Sequence, residues 1–426
     1  MSNQFKYVSR IGPAVLLLLL FSGIGWGDQQ SAAGTETQSL SVAAEETGVV
    51  TVAPEDLLPP RSAMETHLVA EALAGYRFFA VADNGGRAAE YEYTHSNPVL
   101  SGLINYLGLE NKFVLEGGFL NDRDYQVDLT HDHRGVYRFN LRTESLFHNL
   151  DHERLFTPDF SIGAVYSAID LNSGDRYGVR VEQDLARFRY KLDKFPLHVN
   201  LGYWRMVREG NAQLRFADQA FEGTPNGIFS RSLRIDRETH EGQIGIDAHL
   251  GPLDVIYDFR IRQFGDLAGT PRDPFIDRLA PDLVMPRTGG IQEHNESPDS
   301  RFFAHTIKLH TSLSGGIVGA ASYTLGRREN LSTLGDIKGA DRTHDTLQNV
   351  AGDFTYTPCG FFSAALKYRR QEIDRTAPAD LVSVFAVNPL VSVRPGLDTQ
   401  KDTIMATLSY RPIPLLTVKG EYKGVF

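Results

Sequence analysis

The sequence predicts an all-β chain: a transmembrane antiparallel β-barrel of about 16–20 strands, preceded by a signal peptide and a short flexible N-terminal segment. Three observations predict it. The chain opens on an export signal, its apolar residues recur with period two from Arg87 onward, and short and long connections separate the periodic segments. Composition agrees. Of 426 residues, 42% are hydrophobic and 23% charged, so there is apolar surface to bury and the chain is not a disordered one. After residue 27 no apolar run approaches the roughly 20 residues of a spanning helix. The single cysteine, Cys359, excludes a disulfide framework, a cysteine zinc cluster and a Cys-x-x-Cys-His haem attachment in this chain. A net charge of −10 argues against nucleic acid as a partner.

The N-terminus reads as an address. Lys6 and Arg10 form a basic start, Ile11 to Phe21 an apolar core, and Gly25-Trp26-Gly27 a small-residue site before Asp28. Residues 1–27 are therefore expected to be a secretory signal peptide, which sends the chain through the periplasm to the bacterial outer membrane. Its removal takes two positive charges and no acid, leaving −12. Residues 28–86 are expected as a flexible periplasmic segment, rich in Ser, Thr, Ala, Gln and Glu at first and then punctuated by Pro54, Pro59 and Pro60. Within it, Leu68, Ala72 and Leu73 give 63–81 the spacing of a short helix, and Asn84-Gly85-Gly86 is a turn signal.

The barrel is expected over 87–426. Strand alternation begins with Ala89, Tyr91 and Tyr93 against Glu90, Glu92 and Thr94. It continues through 125–130, 137–142, 176–182, 187–192, 197–204, 243–250, 254–262, 362–369 and 403–410. Gly251-Pro252 and Arg411-Pro412-Ile413-Pro414 are tight connections, whereas 145–174, 208–240, 264–300, 327–345 and 371–402 read as long polar ones. Short turns on one side and long loops on the other are the pattern of an outer-membrane barrel, and closure would spare a sheet in lipid its unpaired edges. The last segment alternates Val418, Gly420, Tyr422, Gly424 and Phe426 against Lys419, Glu421 and Lys423. A final strand ending in Phe, with an aromatic four residues earlier, resembles the assembly signal of bacterial outer-membrane proteins.

If the apolar faces meet lipid, the opposite faces line a lumen. The lumen candidates are Arg138, Arg142, Arg187, Arg189, Lys191, Arg260, Arg262, Lys367 and Arg369. Glu90, Glu92, Asp128, Glu182, Asp258 and Glu421 are their expected acidic counterparts. No catalytic signature emerges: Gly-x-Ser-x-Gly is absent, and no local motif pairs His198, His249, His305 or His310 with a nucleophile, so no enzyme is expected. His131 and His133 stand at i and i+2, and His148 and His152 at i and i+4 around Asp151. Hydrogen-bonded loop histidines are the expectation there, ahead of a shared metal. Gly117-Gly118 inside a strand suggests a bulge or a close backbone approach.

One stretch is more specific. Leu115-Glu116-Gly117-Gly118-Phe119-Leu120-Asn121-Asp122, then Asp128-Leu129-Thr130-His131-Asp132, then Arg138 to Glu153 resemble the barrel subunit of porin–cytochrome electron conduits. These are the MtrB/PioB-like outer-membrane proteins and their shorter relatives in metal-reducing bacteria. The specific part spans about 84–160, and the rest matches in alternating texture only. The resemblance implies an outer-membrane barrel that sheathes a periplasmic multihaem c-type cytochrome, with a second multihaem cytochrome on the outer surface. Electrons would then cross to extracellular acceptors. The chain would bind no cofactor directly, haem c being carried by its partners. The long members' Cys-x-x-Cys near the mature N-terminus is missing here, and the chain is shorter, implying fewer strands and a narrower bore. A general or anion-selective diffusion porin is the alternative on the same fold.

Overall fold

The computed structural model describes residues 66–80, 90–91, 93–153, 167–218, 227–275, 290–294, 297–332, 337–338, 343–376, 380–383, 390–392 and 396–426. The signal peptide, residues 28–65 and the Asn84-Gly85-Gly86 turn lie outside them. The fold is all-β. Its strands are β1 (His67–Arg77), β2 (Asn97–Leu107), β3 (Asn111–Phe119), β4 (Tyr125–His133), β5 (Tyr137–Leu150), β6 (Ser167–Asp170) and β7 (Tyr177–Lys191). They continue as β8 (Leu197–Asp218), β9 (Gly227–Leu250), β10 (Leu253–Asp266), β11 (Arg272–Phe275), β12 (Gly290–Glu293), β13 (Ser300–Leu313) and β14 (Ile317–Asn330). The last are β15 (Ile337–Lys338), β16 (His344–Cys359), β17 (Phe362–Thr376), β18 (Asp380–Ser383), β19 (Leu390–Ser392), β20 (Thr399–Ile413) and β21 (Leu416–Val425).

Sixteen strands form one sheet. Fifteen follow one another in the order β1-β2-β3-β4-β5-β7-β8-β9-β10-β13-β14-β16-β17-β20-β21, each antiparallel to the next, and β6 joins the free edge of β9 in parallel. The connections sort by end. Those after β2, β4, β7, β9, β13, β16 and β20 are two to five residues long and share one end of the sheet. The opposite end carries the rest, up to the 33 residues of 267–299. This is the turn-and-loop asymmetry of an outer-membrane barrel.

Cross-strand register gives the sheet two chemically distinct faces. On one stand Ile104, Leu115, Leu129 and Leu141, each directly across from the next, and then Phe188, Leu201, Ile244 and Phe259, likewise in direct succession but two residues out of line with the first row. The same face continues through His305, Leu325 and Val350, and on through Leu366 and Leu408. Several of these apolar side chains are exposed, Leu201 by 44%, Ile244 by 51% and Leu366 by 50%, which in water would be an untenable patch, whereas Leu129 is buried at 5%. In lipid it is the required surface. On β10 the outward apolar run, Leu253 to Ile261, is nine residues. At about 3.3 Å per residue and a tilt of about 40°, that spans about 22 Å, close to the lipid-facing band of such barrels.

The structure corrects several expectations. Residues 67–77 are strand β1, not a helix, and the sheet begins there instead of at Arg87. Leu68, Ala72 and Leu73 fit a helical spacing, but pairing with β2 over eleven residues decides the matter. Glu90 and Tyr91 form a turn, and Tyr93 and Thr94 are in no strand; Ala89 and Glu92 lie outside the described residues. The polar stretch 208–240 is mostly strand, because β8 and β9 extend to Asp218 and from Gly227. The segments 176–182 and 187–192 form one strand, β7, with no break between them. Gly117 and Gly118 pair in register without a bulge. A Cβ at Gly117 would meet its neighbours at an ordinary 3.5 Å, and one at Gly118 would meet nothing.

β1 and β21 are the two edges and do not pair with each other among the described residues. Both are exposed along nearly their whole length. The fifteen-strand path makes them run in the same direction, from the short-turn end toward the long-connection end. Phe426, joined to Asp402 by two backbone hydrogen bonds, therefore stands at the long-connection end.

Candidate functional site

The face opposite the lipid belt is polar. All nine basic residues singled out from the sequence stand on it: Arg138 and Arg142 on β5, Arg187, Arg189 and Lys191 on β7, Arg260 and Arg262 on β10, Lys367 and Arg369 on β17. Alternation alone puts them there, because their neighbours in sequence belong to the belt. Arg138 and Arg189 are direct cross-strand partners, a juxtaposition of like charges. Carboxylates from the same face moderate part of this charge. Arg138 lies 3.8 Å from Asp132, Arg189 lies 3.6 Å from Asp247, and Arg142 is hydrogen-bonded to Glu144 at 2.6 Å. Arg260 and Arg262 converge on Glu241 at 3.4 and 2.5 Å, and Arg262 also covers the Trp204 ring. Arg187, Lys191, Lys367 and Arg369 make no ion pair among the described residues.

Asp128, Asp258 and Glu421 share this face, as expected. Two expected acids do not. Glu90 lies outside any strand and meets His148 at 2.9 Å. Glu182 points the other way, where with Asp184 and Glu238 it surrounds Arg205 at 2.8–3.2 Å. The reason is that β7 changes environment along its length. Near the short turns its outward residues are Ala186, Phe188 and Tyr190; farther along the same face they are Asp184, Glu182 and Arg180. The opposite face changes in the reverse sense, from Arg187, Arg189 and Lys191 to Val179 and Tyr177, which are 2% and 4% exposed. A strand that leaves the lipid partway along must exchange its apolar and polar faces.

Tyrosines of the outward face are tied to neighbouring strands by their hydroxyls. Tyr203 and Tyr257 hydrogen-bond His240 and His305 at 2.8 Å, and Tyr368 donates to Asp402 at 2.7 Å. Tyr323 donates to Gln348 at 3.4 Å. Each hydroxyl reaches one step toward the long-connection end. A second outward row, Tyr106, Phe113, Tyr137, Tyr190, Tyr356 and Tyr410, borders the short turns. Two aromatic rows with an apolar band between them are the girdles of a membrane barrel. Sequence reading saw the aromatics but not the cross-strand partners their hydroxyls find, which depend on register.

Beyond the belt, β8 and β9 rise as a paired ribbon above their neighbours. One face of the ribbon, through Gln213 and Arg215, holds Glu153 of the β5–β7 connection. The other face carries Phe216, Phe229 and Arg231, and the β11–β12 hairpin packs on it. Asp273 binds Arg231 at 2.7 Å and His294 at 2.5 Å, and the His294 ring lies 4.5 Å from Phe216. Burial pushes the Asp273 carboxyl up, but the hydrogen bonds and charges of Arg231 and His294 outweigh it and hold the group below its usual value. Phe229 and Ser230 are fully buried.

The histidines of the family-like stretch separate. His131 and His133 share the lipid-belt face of β4 and both meet Asn111 Oδ1, at 3.4 and 2.9 Å. His148 stacks on Tyr91, and His152 binds Asp170 at 2.6 Å and the Asp175 carbonyl at 2.8 Å. Asp151 precedes His152 just after β5 ends. No group of three or more His, Cys, Asp or Glu with metal-binding geometry exists among the described residues. The stretch contains a knot that sequence reading missed. Asn121 Oδ1 accepts from the Arg123 and Asp124 amides, and Asp124 accepts from the amides of Tyr93 and Phe147. Arg123 lies over the Tyr93 and Phe147 rings.

No protein family model matches the chain, and no curated protein does. Solved structures similar to it include in-vitro folded OmpT, an outer membrane protein of Vibrio cholerae. It is 8% identical with a TM-score of 0.30, over 84% of this chain and 96% of that one. An anion-selective porin from Comamonas acidovorans is 9% identical with a TM-score of 0.28, over 85% of this chain and 100% of that one. At these values the fold rests on the chain's own registers and faces.

Proposed function

We propose that the chain is an outer-membrane barrel that sheathes and positions a periplasmic multihaem c-type cytochrome for electron transfer to extracellular acceptors. The observation that carries this reading is the unneutralised charge of the polar face. Arg187, Lys191, Lys367 and Arg369 make no ion pair among the described residues, and β7 and β17 lie seven steps apart in the sheet. Excess cations on two separate walls favour an extended anionic guest over a small one. Haem propionates and acidic protein surface supply such charge along a length of wall. The family-like stretch supports the reading, since it forms β3 to β5 and contributes Arg138 and Arg142 to that face. In this reading the barrel catalyses nothing and holds no haem. Its role is to insulate and align the carrier, while a second cytochrome docks at the long-connection end.

A general or anion-selective diffusion porin is the second reading. One observation favours it: the β11–β12 hairpin packs on the ribbon face continuous with the polar one, as a constriction loop would. A mild-detergent pull-down of the tagged chain from its native outer membrane separates the two. A c-type Soret band with several haems per barrel is the expected result. A colourless barrel that conducts ions in planar bilayers overturns the sheath reading and leaves the porin.

A further inference from the structure

Above the belt, the outward face becomes charged, and its sign varies around the sheet. On β7 to β9, two arginines, Arg180 and Arg205, stand among four carboxylates. On β17 and β20, Arg370 stands against Glu372 and Asp402. On β13 and β14 the balance reverses. Arg301 Nη2 lies 2.8 Å from Glu329 Oε2, and Arg327 Nε lies 3.0 Å from Oε1 of the same carboxylate. His344 stands opposite Glu329 on β16 and adds positive charge when protonated.

Two guanidiniums thus share one acid, and a guanidinium has five N–H donors. The Arg301 and Arg327 side chains remain 47% and 44% exposed. Both arginines stand one alternation above the last outward apolar residues of their strands, Phe303 and Leu325. Their remaining donors therefore lie at headgroup depth, directly over a surface fitted to acyl chains. A planar, multidentate cationic donor pair with surplus charge matches a phosphate better than it matches any neutral headgroup.

We propose that Arg301 and Arg327, bridged by Glu329, bind the phosphate of a phosphomonoester lipid in the leaflet at the long-connection end. Continuity with the belt selects a lipid over a free ion, because the same strands seat the chains and the headgroup. The inference needs the belt and its orientation but no guest on the polar face.

The test uses the full chain in dodecyl maltoside micelles, offered dioleoyl phosphatidic acid or dioleoylglycerol, with bound lipid counted by native mass spectrometry. Phosphatidic acid should be retained and dioleoylglycerol should not. Arg301→Gln with Arg327→Gln should lower retention about tenfold, whereas Arg370→Gln in the acidic sector should leave it unchanged. Heat-modifiable gel mobility reports whether the double variant folds. If it does not, Arg301→Lys with Arg327→Lys carries the test and should retain phosphatidic acid more weakly than the parent. Undiminished retention in a folded glutamine double variant overturns the proposal. So does complete displacement of the lipid by millimolar inorganic phosphate, which would assign a free-anion site. Cytochrome content does not enter this readout, so the two readings fail separately.

Discussion

The Asp124 carboxylate, in the turn between β3 and β4, accepts a hydrogen bond from the Phe147 backbone N–H in β5, with Oδ1 and N 2.8 Å apart. The same carboxylate takes the Tyr93 amide, at 2.5 Å, and the residue is 3% exposed. One buried acid thus ties the connection before β2, a turn and the far end of β5. Asp124→Ala removes the acceptor and strands two amides. The expected loss is about 3 kcal/mol, read as a lower denaturant midpoint for loss of heat-modifiable mobility. Asp122→Ala, two residues earlier in the same turn, serves as the comparison and should change that midpoint little.

Gly210 makes a second local demand. Its φ is +151°, and a Cβ there would run into the Gly178 carbonyl of the neighbouring strand. Gly210→Ala should destabilise the protein by about 1–3 kcal/mol. Hydrogen exchange should place the loss in the β8–β9 ribbon above the belt, and protection of β13 and β14 should not change.

The hairpin clamp should depend on pH in a defined direction. The Asp273 carboxyl is held below the usual aspartate value by Arg231 and His294. A depressed folded-state value gives stability that is fully present above the ordinary aspartate range and lost as pH falls through the lowered value. Hydrogen exchange of β11 and β12, relative to the intrinsic rate, should therefore be unchanged from neutral pH down to about 5 and increase only in strong acid. Asp273→Asn should raise that exchange at neutral pH and abolish the acid dependence.

The unpaired cations make a fourth prediction. Arg187→Gln with Lys191→Gln, or Lys367→Gln with Arg369→Gln, removes cations that make no ion pair among the described residues, although Asp353 stands directly across from Lys367. Neither pair of changes should lower stability by more than about 0.5 kcal/mol. Each should weaken retention of an anionic guest, and the wild-type interaction should itself fade with salt. Under the sheath reading, haem recovered per barrel falls. Under the porin reading, anion-over-cation selectivity falls. Unchanged values of both would remove the polar-face charge from the function.

How much of this was legible beforehand differs residue by residue. Arg187, Arg189 and Lys191 could be assigned to one face from sequence because side-chain direction in a strand follows period two and needs no partner. Leu68 to Tyr76 could not be assigned. An alanine-rich run suits either period, and only the eleven-residue ladder with β2 distinguishes them. Glu182 was misplaced for a related reason. Local alternation identifies a face but not the height at which that face leaves lipid, and the height is set by registers across β5, β7 and β8.

The order of residues along the chain thus determined strand chemistry, the all-β class and the shared face of the nine basic residues, since each follows from neighbours one or two positions apart. Tertiary structure alone decided which carboxylates neutralise which arginines, which partners the tyrosine hydroxyls find, and that β1 and β21 run the same way at opposite edges. Those relations join residues tens to hundreds of positions apart. Backbone hydrogen bonding across the sheet fixes them, and no local periodicity encodes it.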